Sequence, residues 1–107
     1  MLKCCSLYSG STGNSFFVQT EKTKILIDAG VSCRKIETAL KTLQVSPNEI
    51  NAILVTHEHI DHTKSIGILS SKYNIPIYIN AKTLNALQSN NKKIDNSKVN
   101  LFKNDTT

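Results

Sequence analysis

Short apolar runs broken by turn-forming residues fill the first 28 positions. Residues 2–7 alternate, with Leu2, Cys4 and Ser6 on one face and Cys5 and Leu7 on the other, the pattern of a half-buried strand. Ser9-Gly10-Ser11-Thr12-Gly13-Asn14 consists almost entirely of turn formers. A second strand is predicted over 15–20, then a polar connection, Glu21-Lys22-Thr23, and a third strand over 24–28. Ile25, Leu26 and Ile27 follow one another without a polar break, which predicts cover on both faces of that strand. The opening segment therefore reads as an antiparallel meander.

After Ala29-Gly30 the period changes. Ser32 can cap a helix over 33–43 whose apolar positions, Ile36, Leu40 and Leu43, recur at helical spacing. Glu37 stands one turn before Lys41 and can pair with it. Ser46-Pro47-Asn48-Glu49 has a capping-box arrangement with Pro at the first helical position. A strand over 51–55 follows, and then a helix over 61–73 with His62, Ile66, Leu69 and Tyr73 on its inner face and Gly67 marking a close approach. Residues 76–79 form another strand, and Asn80 can cap a helix over 81–88. Beyond it the chain turns polar and Asn/Lys-rich, with one apolar run at 99–102. Strand and helix alternate after residue 28, so the chain is of the α/β class.

Composition narrows this only a little. At 107 residues there is room for one small domain, and 39% hydrophobic residues is an ordinary globular content. Thirteen Lys+Arg against eight Asp+Glu give a net charge of +5, but the lysines are scattered, which favours a polyanionic partner only slightly. Lys92, Lys93, Lys98 and Lys103 can touch a nucleic-acid backbone or simply form a solvated surface. Cys4, Cys5 and Cys33 are odd in number and contain no C-x-x-C pair, so reduced thiols in a cytoplasmic protein are expected. Cys33, at a helix N-terminus, reads as a boundary cysteine more readily than as a reactive one. No leader-like segment opens the chain, and no apolar stretch approaches a membrane span.

The chemistry is concentrated in His57-Glu58-His59-Ile60-Asp61-His62, directly after the apolar run Ala52-Ile53-Leu54-Val55. Imidazole nitrogen and carboxylate oxygen are the donors that Zn²⁺ and similar divalent ions prefer. His57 and His59 project to the same side of an extended segment, whereas Asp61 and His62 stand where the chain turns into a helix. That geometry suits two adjacent ions, His57 and His59 holding one and Asp61 and His62 the other. Such a pair can activate water and clamp an in-line displacement. Asp61 can also orient or deprotonate the attacking water. A polar loop with coincidental histidines is the alternative, and all three histidines of the chain fall in this one stretch. Glu58 alternates away from the donors.

His57-x-His59-x-Asp61-His62 after an apolar strand resembles the signature of the metallo-β-lactamase fold hydrolases, with Ile25-Leu26-Ile27-Asp28-Ala29-Gly30 upstream. The resemblance implies that Asp28 supports the histidine loop without binding metal; closing a turn before Gly30 is its other reading. The Ser9–Asn14 run, Val55-Thr56-His57 and Ile75-Pro76-Ile77-Tyr78 are similar to the YycJ/WalJ-like branch, bacterial proteins regarded as 5′-to-3′ DNA exonucleases. This likeness makes Ser9, Gly10, Ser11, Gly13 and Asn14 candidate phosphate contacts through an anion-binding nest, against an ordinary hairpin loop.

What the resemblance implies is the N-terminal half of an αββα sandwich, holding part of a site for two divalent ions, Zn²⁺ or Mn²⁺. Its substrate is expected to be DNA or another phosphodiester. A thioester, lactone or cyclic phosphodiester is an alternative, as is a truncated metal-binding module without catalysis. The family's remaining ligands, a histidine, a bridging aspartate and a final histidine, lie downstream. No histidine follows His62, and neither Asp95 nor Asp105 sits in a matching motif. Residues 1–107 are therefore expected to form a partial domain, completed by the missing C-terminal half or a partner chain. An apolar sheet face is expected to lie open where that half packs.

Overall fold

The computed structural model describes residues 2–10, 13–56, 63–89 and 96–102. β1 (Lys3–Tyr8), β2 (Ser15–Gln19) and β3 (Lys24–Ile27) form the expected antiparallel meander. After β3 the pairing switches to parallel, which requires a crossover between strands. α1 (Cys33–Thr42) carries the chain to β4 (Ala52–Leu54), α2 (Ile66–Tyr73) lies between β4 and β5 (Ile77–Asn80), and α3 (Ala81–Ser89) precedes β6 (Val99–Phe102). The described strands form one six-stranded sheet in sequence order, with β3 to β6 parallel.

This order decides where the core sits. Right-handed crossovers that always step in the same direction deliver every helix to one face of the sheet. Phe17, Leu26, Ile53 and Ile77 are partners across β2 to β5 and are all buried on that face. Ile36 and Leu40 of α1, Ile66 and Leu69 of α2 and Leu87 of α3 join them in a single cluster. On the opposite face the register aligns Phe16, Ile27, Leu54 and Tyr78. Phe16 and Tyr78 are 37% and 38% exposed, and a shallow depression of about 370 Å³ runs over Ile25, Ala52, Leu54 and Tyr78. β3 is thus buried on one face and only half-covered at Ile25 and Ile27 on the other, where sequence alone predicted cover on both.

Local signals place most boundaries. Ser32 Oγ accepts from Lys35 N at 3.3 Å at the start of α1. The capping box forms around a 3₁₀ turn, Pro47–Glu49, with Ser46 N donating to Glu49 Oε2 at 2.7 Å. Asn80 Oδ1 accepts from Thr83 N at 2.7 Å at the start of α3. Leu43 departs from the expected inner face: it is the C-cap of α1 and 37% exposed. The helix predicted from residue 61 is interrupted, because Lys64 and Ser65 form a turn before α2 begins at Ile66. Among the described residues no helix is long and apolar enough to cross a membrane.

Glu37 does not pair with Lys41. Lys72 Nζ lies 2.6 Å from Glu37 Oε2, and the Tyr73 hydroxyl donates to the same oxygen, so the pair ties α1 to α2. A tertiary partner held by two packed helices displaces the weaker contact along one helix. Hydrogen bonds from Lys72 and then Tyr73 hold the Glu37 carboxyl below its ordinary value of 4.5. The Lys72 ammonium is raised, chiefly by Glu37. Cys33 beside them is raised by burial and then by Glu37, which makes it a poor nucleophile.

A depressed carboxyl contributes stability above its unfolded value that is lost as pH falls through the folded value. Denaturant midpoints of the intact protein should therefore decline as pH drops below 4.5. Glu37→Gln should flatten part of that decline, Glu49 supplying the remainder because Ser46 N and Lys24 lower it too. An acid-side slope identical in parent and variant would show that the interhelical pair carries no stability.

Candidate metal centre

The predicted ligands His57, His59, Asp61 and His62 lie outside the described residues, as do Ser11 and Lys92, Lys93 and Lys103. The structure instead places the frame from which the histidine stretch departs and to which it returns. Both ends converge on Asp28-Ala29-Gly30, at the C-terminal end of β3.

Asp28 is 1% exposed and takes a left-handed conformation, φ 62°. Its backbone N donates to Leu54 O at 2.8 Å, continuing the parallel ladder to β4. The left-handed turn swings the side chain toward the end of β4. There Oδ1 accepts from Thr56 N at 2.8 Å and Oδ2 accepts from the Thr56 hydroxyl. Thr56 immediately precedes His57, so one buried carboxylate fixes the residue from which the donor stretch leaves. At the other end, Ser65 N and Ser65 Oγ both donate to Ala29 O, at 2.9 and 3.3 Å. Ser65 is buried, and its hydroxyl serves this bond and caps no amide of α2.

The Ser9–Asn14 loop meets the same turn from a third side. Ser15 Oγ donates to Asp28 O at 2.8 Å, and Gly30 N donates to Asn14 O at 2.8 Å. Gly13 packs so closely that a Cβ there would lie 2.3 Å from Val31 Cγ1 and 2.8 Å from Gly30 O. Gly10, at φ +143°, donates its N–H to Asn14 Oδ1 at 3.2 Å and accepts from Asn14 Nδ2 at 2.9 Å. The Gly10 amide is thus engaged within the loop, while Ser9 is exposed. Thr56, Ser65 and Ser15 are the residues sequence reasoning overlooked; only their positions flanking the histidines and the glycine loop hint at them.

Among the described residues no three His, Cys, Asp or Glu side chains gather to hold a metal. All three histidines of the chain fall within residues 57–62. Two imidazoles spaced by one residue, then a carboxylate and a third imidazole, fit borderline divalent ions.

The sequence profile of the metallo-beta-lactamase superfamily matches residues 8–101. The chain belongs to that superfamily. Membership implies divalent metal ions. The chain is 43% identical over 98 residues to exodeoxyribonuclease WalJ of Streptococcus pneumoniae, covering 90% of this chain and 36% of that protein. It is 48% identical over 82 residues to exodeoxyribonuclease YycJ of Bacillus anthracis, covering 77% and 31%. A solved B3 metallo-beta-lactamase with an active-site glutamic acid superposes with a TM-score of 0.76 at 17% identity, over 94% of this chain and 42% of that one. The last likeness shows the fold alone. The chain spans about a third of the length of these two curated relatives.

Asp28→Ala should remove both bonds to Thr56 and leave a left-handed alanine. That adds about 1–2 kcal/mol of strain to about 0.5–1.5 kcal/mol for each lost hydrogen bond. Asp28→Asn should cost less, because asparagine tolerates φ > 0 and the Thr56 hydroxyl can reverse to accept from the amide. Urea midpoints of the intact variants rank the two. Chelator competition should show metal affinity down by roughly 10–100-fold in the alanine variant. Equal midpoints and affinities for the two variants would remove the carboxylate from this role.

Proposed function

We propose that this chain is the N-terminal part of a metal-dependent phosphodiesterase, a DNA exonuclease of 5′-to-3′ polarity in its intact form. The observation that carries this reading is the clamp of Asp28 on Thr56, the residue that immediately precedes a His-x-His-x-Asp-His donor set in the sequence. The exodeoxyribonuclease names of both relatives support the choice of substrate.

His57 and His59 would hold one ion and Asp61 and His62 a second, either zinc or manganese. Bound there, such ions supply Lewis acidity and lower the pKa of water. Asp61 would also orient the attacking water or take its proton. Asp28 works at one remove, by fixing Thr56 and with it the direction in which His57 leaves β4. The Ser9–Asn14 loop enters this reading as a brace for the turn at 28–31, through Gly13 and Asn14, more than as a phosphate cradle. The uncovered sheet face of Phe16, Ile27, Leu54 and Tyr78 is the seat of the remaining part of the fold, or of a partner chain that supplies it.

Purified intact protein should degrade DNA from the 5′ end and stop on chelation. Re-adding Zn²⁺ or Mn²⁺ separately identifies the working ion. His59→Ala should lose at least 100-fold in rate while keeping its thermal midpoint in the chelated state. Degradation that persists undiminished in the chelated protein or in His59→Ala would sink the assignment.

A further inference from the structure

Three cations stand on the rim of this frame, and among the described residues no carboxylate pairs with them. Arg34 and Lys35 occupy the first turn of α1, two and three positions past the Ser32 cap, and both are exposed. Lys64 is the exposed residue between buried Thr63 and buried Ser65, so it points outward from the point where the histidine stretch rejoins the fold. The Ser65 bonds to Ala29, and the short link from Gly30 to Ser32, tie the segments carrying all three to the turn that holds Thr56.

The local rules argue against this placement as a stability device. A helix N-terminus carries partial positive charge and favours acids, yet the first turns of α1 and α2 contain none. The single acid of α1, Glu37, stands one turn after Arg34 but is committed to Lys72 and Tyr73. Of the other described acids, Asp28 is buried on Thr56, Glu49 pairs with Lys24, and Glu21 lies in the β2–β3 turn at the far edge of the sheet. Cations placed against the helix dipole and left unpaired fit a partner that brings its own negative charge.

We propose that Arg34, Lys35 and Lys64 form the track along which a polynucleotide's phosphodiester backbone is led to the metal centre. The proposal rests on the nuclease reading and deepens it. The three side chains are positioning residues: they bind phosphates flanking the scissile one and leave the bond-breaking step to residues 57–62. They therefore matter for a polymer and not for a small phosphodiester.

The test compares the intact protein with Arg34→Gln/Lys35→Gln/Lys64→Gln and with a control of equal charge loss at the opposite edge, Lys3→Gln/Lys22→Gln/Lys41→Gln. Glutamine is a good helix former and all six sites are exposed, so thermal midpoints should hold. Binding of a fluorescent 30-nucleotide strand, read by anisotropy in chelator, needs no turnover. Each phosphate contact contributes roughly 0.7 to the salt slope for a single strand, so the rim variant should lose about two and bind at least tenfold more weakly. The control should lose neither. Under turnover, KM for DNA should rise with kcat little changed, and hydrolysis of bis(p-nitrophenyl) phosphate should be unaffected. Unchanged slope and affinity in the rim variant, or an equal loss in the control, overturns the track. A rim-specific loss of binding in a protein that never cleaves DNA supports the track and sinks the nuclease reading instead.

Discussion

The bond pair between Asp28 and Thr56 is the constraint on which the rest of this molecule turns. Asp28 takes a left-handed conformation, which its short polar side chain tolerates at a cost below the roughly 1–2 kcal/mol that alanine would bear there. Two hydrogen bonds of about 0.5–1.5 kcal/mol each offset that cost, so the turn is close to neutral energetically. What it gains is geometry. The strained turn stops β3, directs the carboxylate across to the end of β4, and presents the carbonyls of residues 28 and 29 to Ser15 and Ser65. Three segments far apart in sequence are thereby pinned to one buried point. Thr56 and Ser65, on either side of the histidine-bearing stretch, are both held there.

How much of this was legible beforehand depends on the range of the interaction. The strands, the Ser32, Ser46 and Asn80 caps and the core positions Ile36, Leu40, Ile66 and Leu69 are set by neighbours within four residues, and sequence patterning found them. Asp28 was marked as a support for the histidines, although its left-handed backbone was not. The misses are all long-range. Glu37 had a plausible partner at Lys41, but packing α1 against α2 offered Lys72 and Tyr73 together. Ser65 interrupts the predicted helix ahead of Ile66, because its amide and hydroxyl are drawn to Ala29. Gly13 reads in sequence as one of a run of turn formers; it is buried, and its lack of a Cβ is what lets the loop touch Gly30 and Val31.

The same topology explains why the frame is well formed on one side only. Stepping β3 to β6 in order with right-handed crossovers collects the helices on one face, and that face builds a dense core. The other face gets no helix from this rule. Its apolar residues, Phe16, Ile25, Ile27, Leu54 and Tyr78, are those that an antiparallel meander joined to parallel strands leaves in register. The half-exposed rings at Phe16 and Tyr78 are thus a consequence of strand order, not of weak patterning.

Charge follows the same division of labour. The acids of the described residues serve the fold: Asp28 holds Thr56, Glu37 joins two helices and Glu49 closes a capping box and meets Lys24. The fourth described acid, Glu21, lies in the β2–β3 turn, so no described carboxylate stands in the first turns of α1 and α2, where the helix dipoles are positive and ordinary capping would balance them. A polyanion led along the edge of Arg34, Lys35 and Lys64, as proposed, would meet a field that no contact among the described residues neutralises. The structural use of carboxylates and the electrostatic character of the site are therefore one property of the sequence, seen at two distances from Asp28.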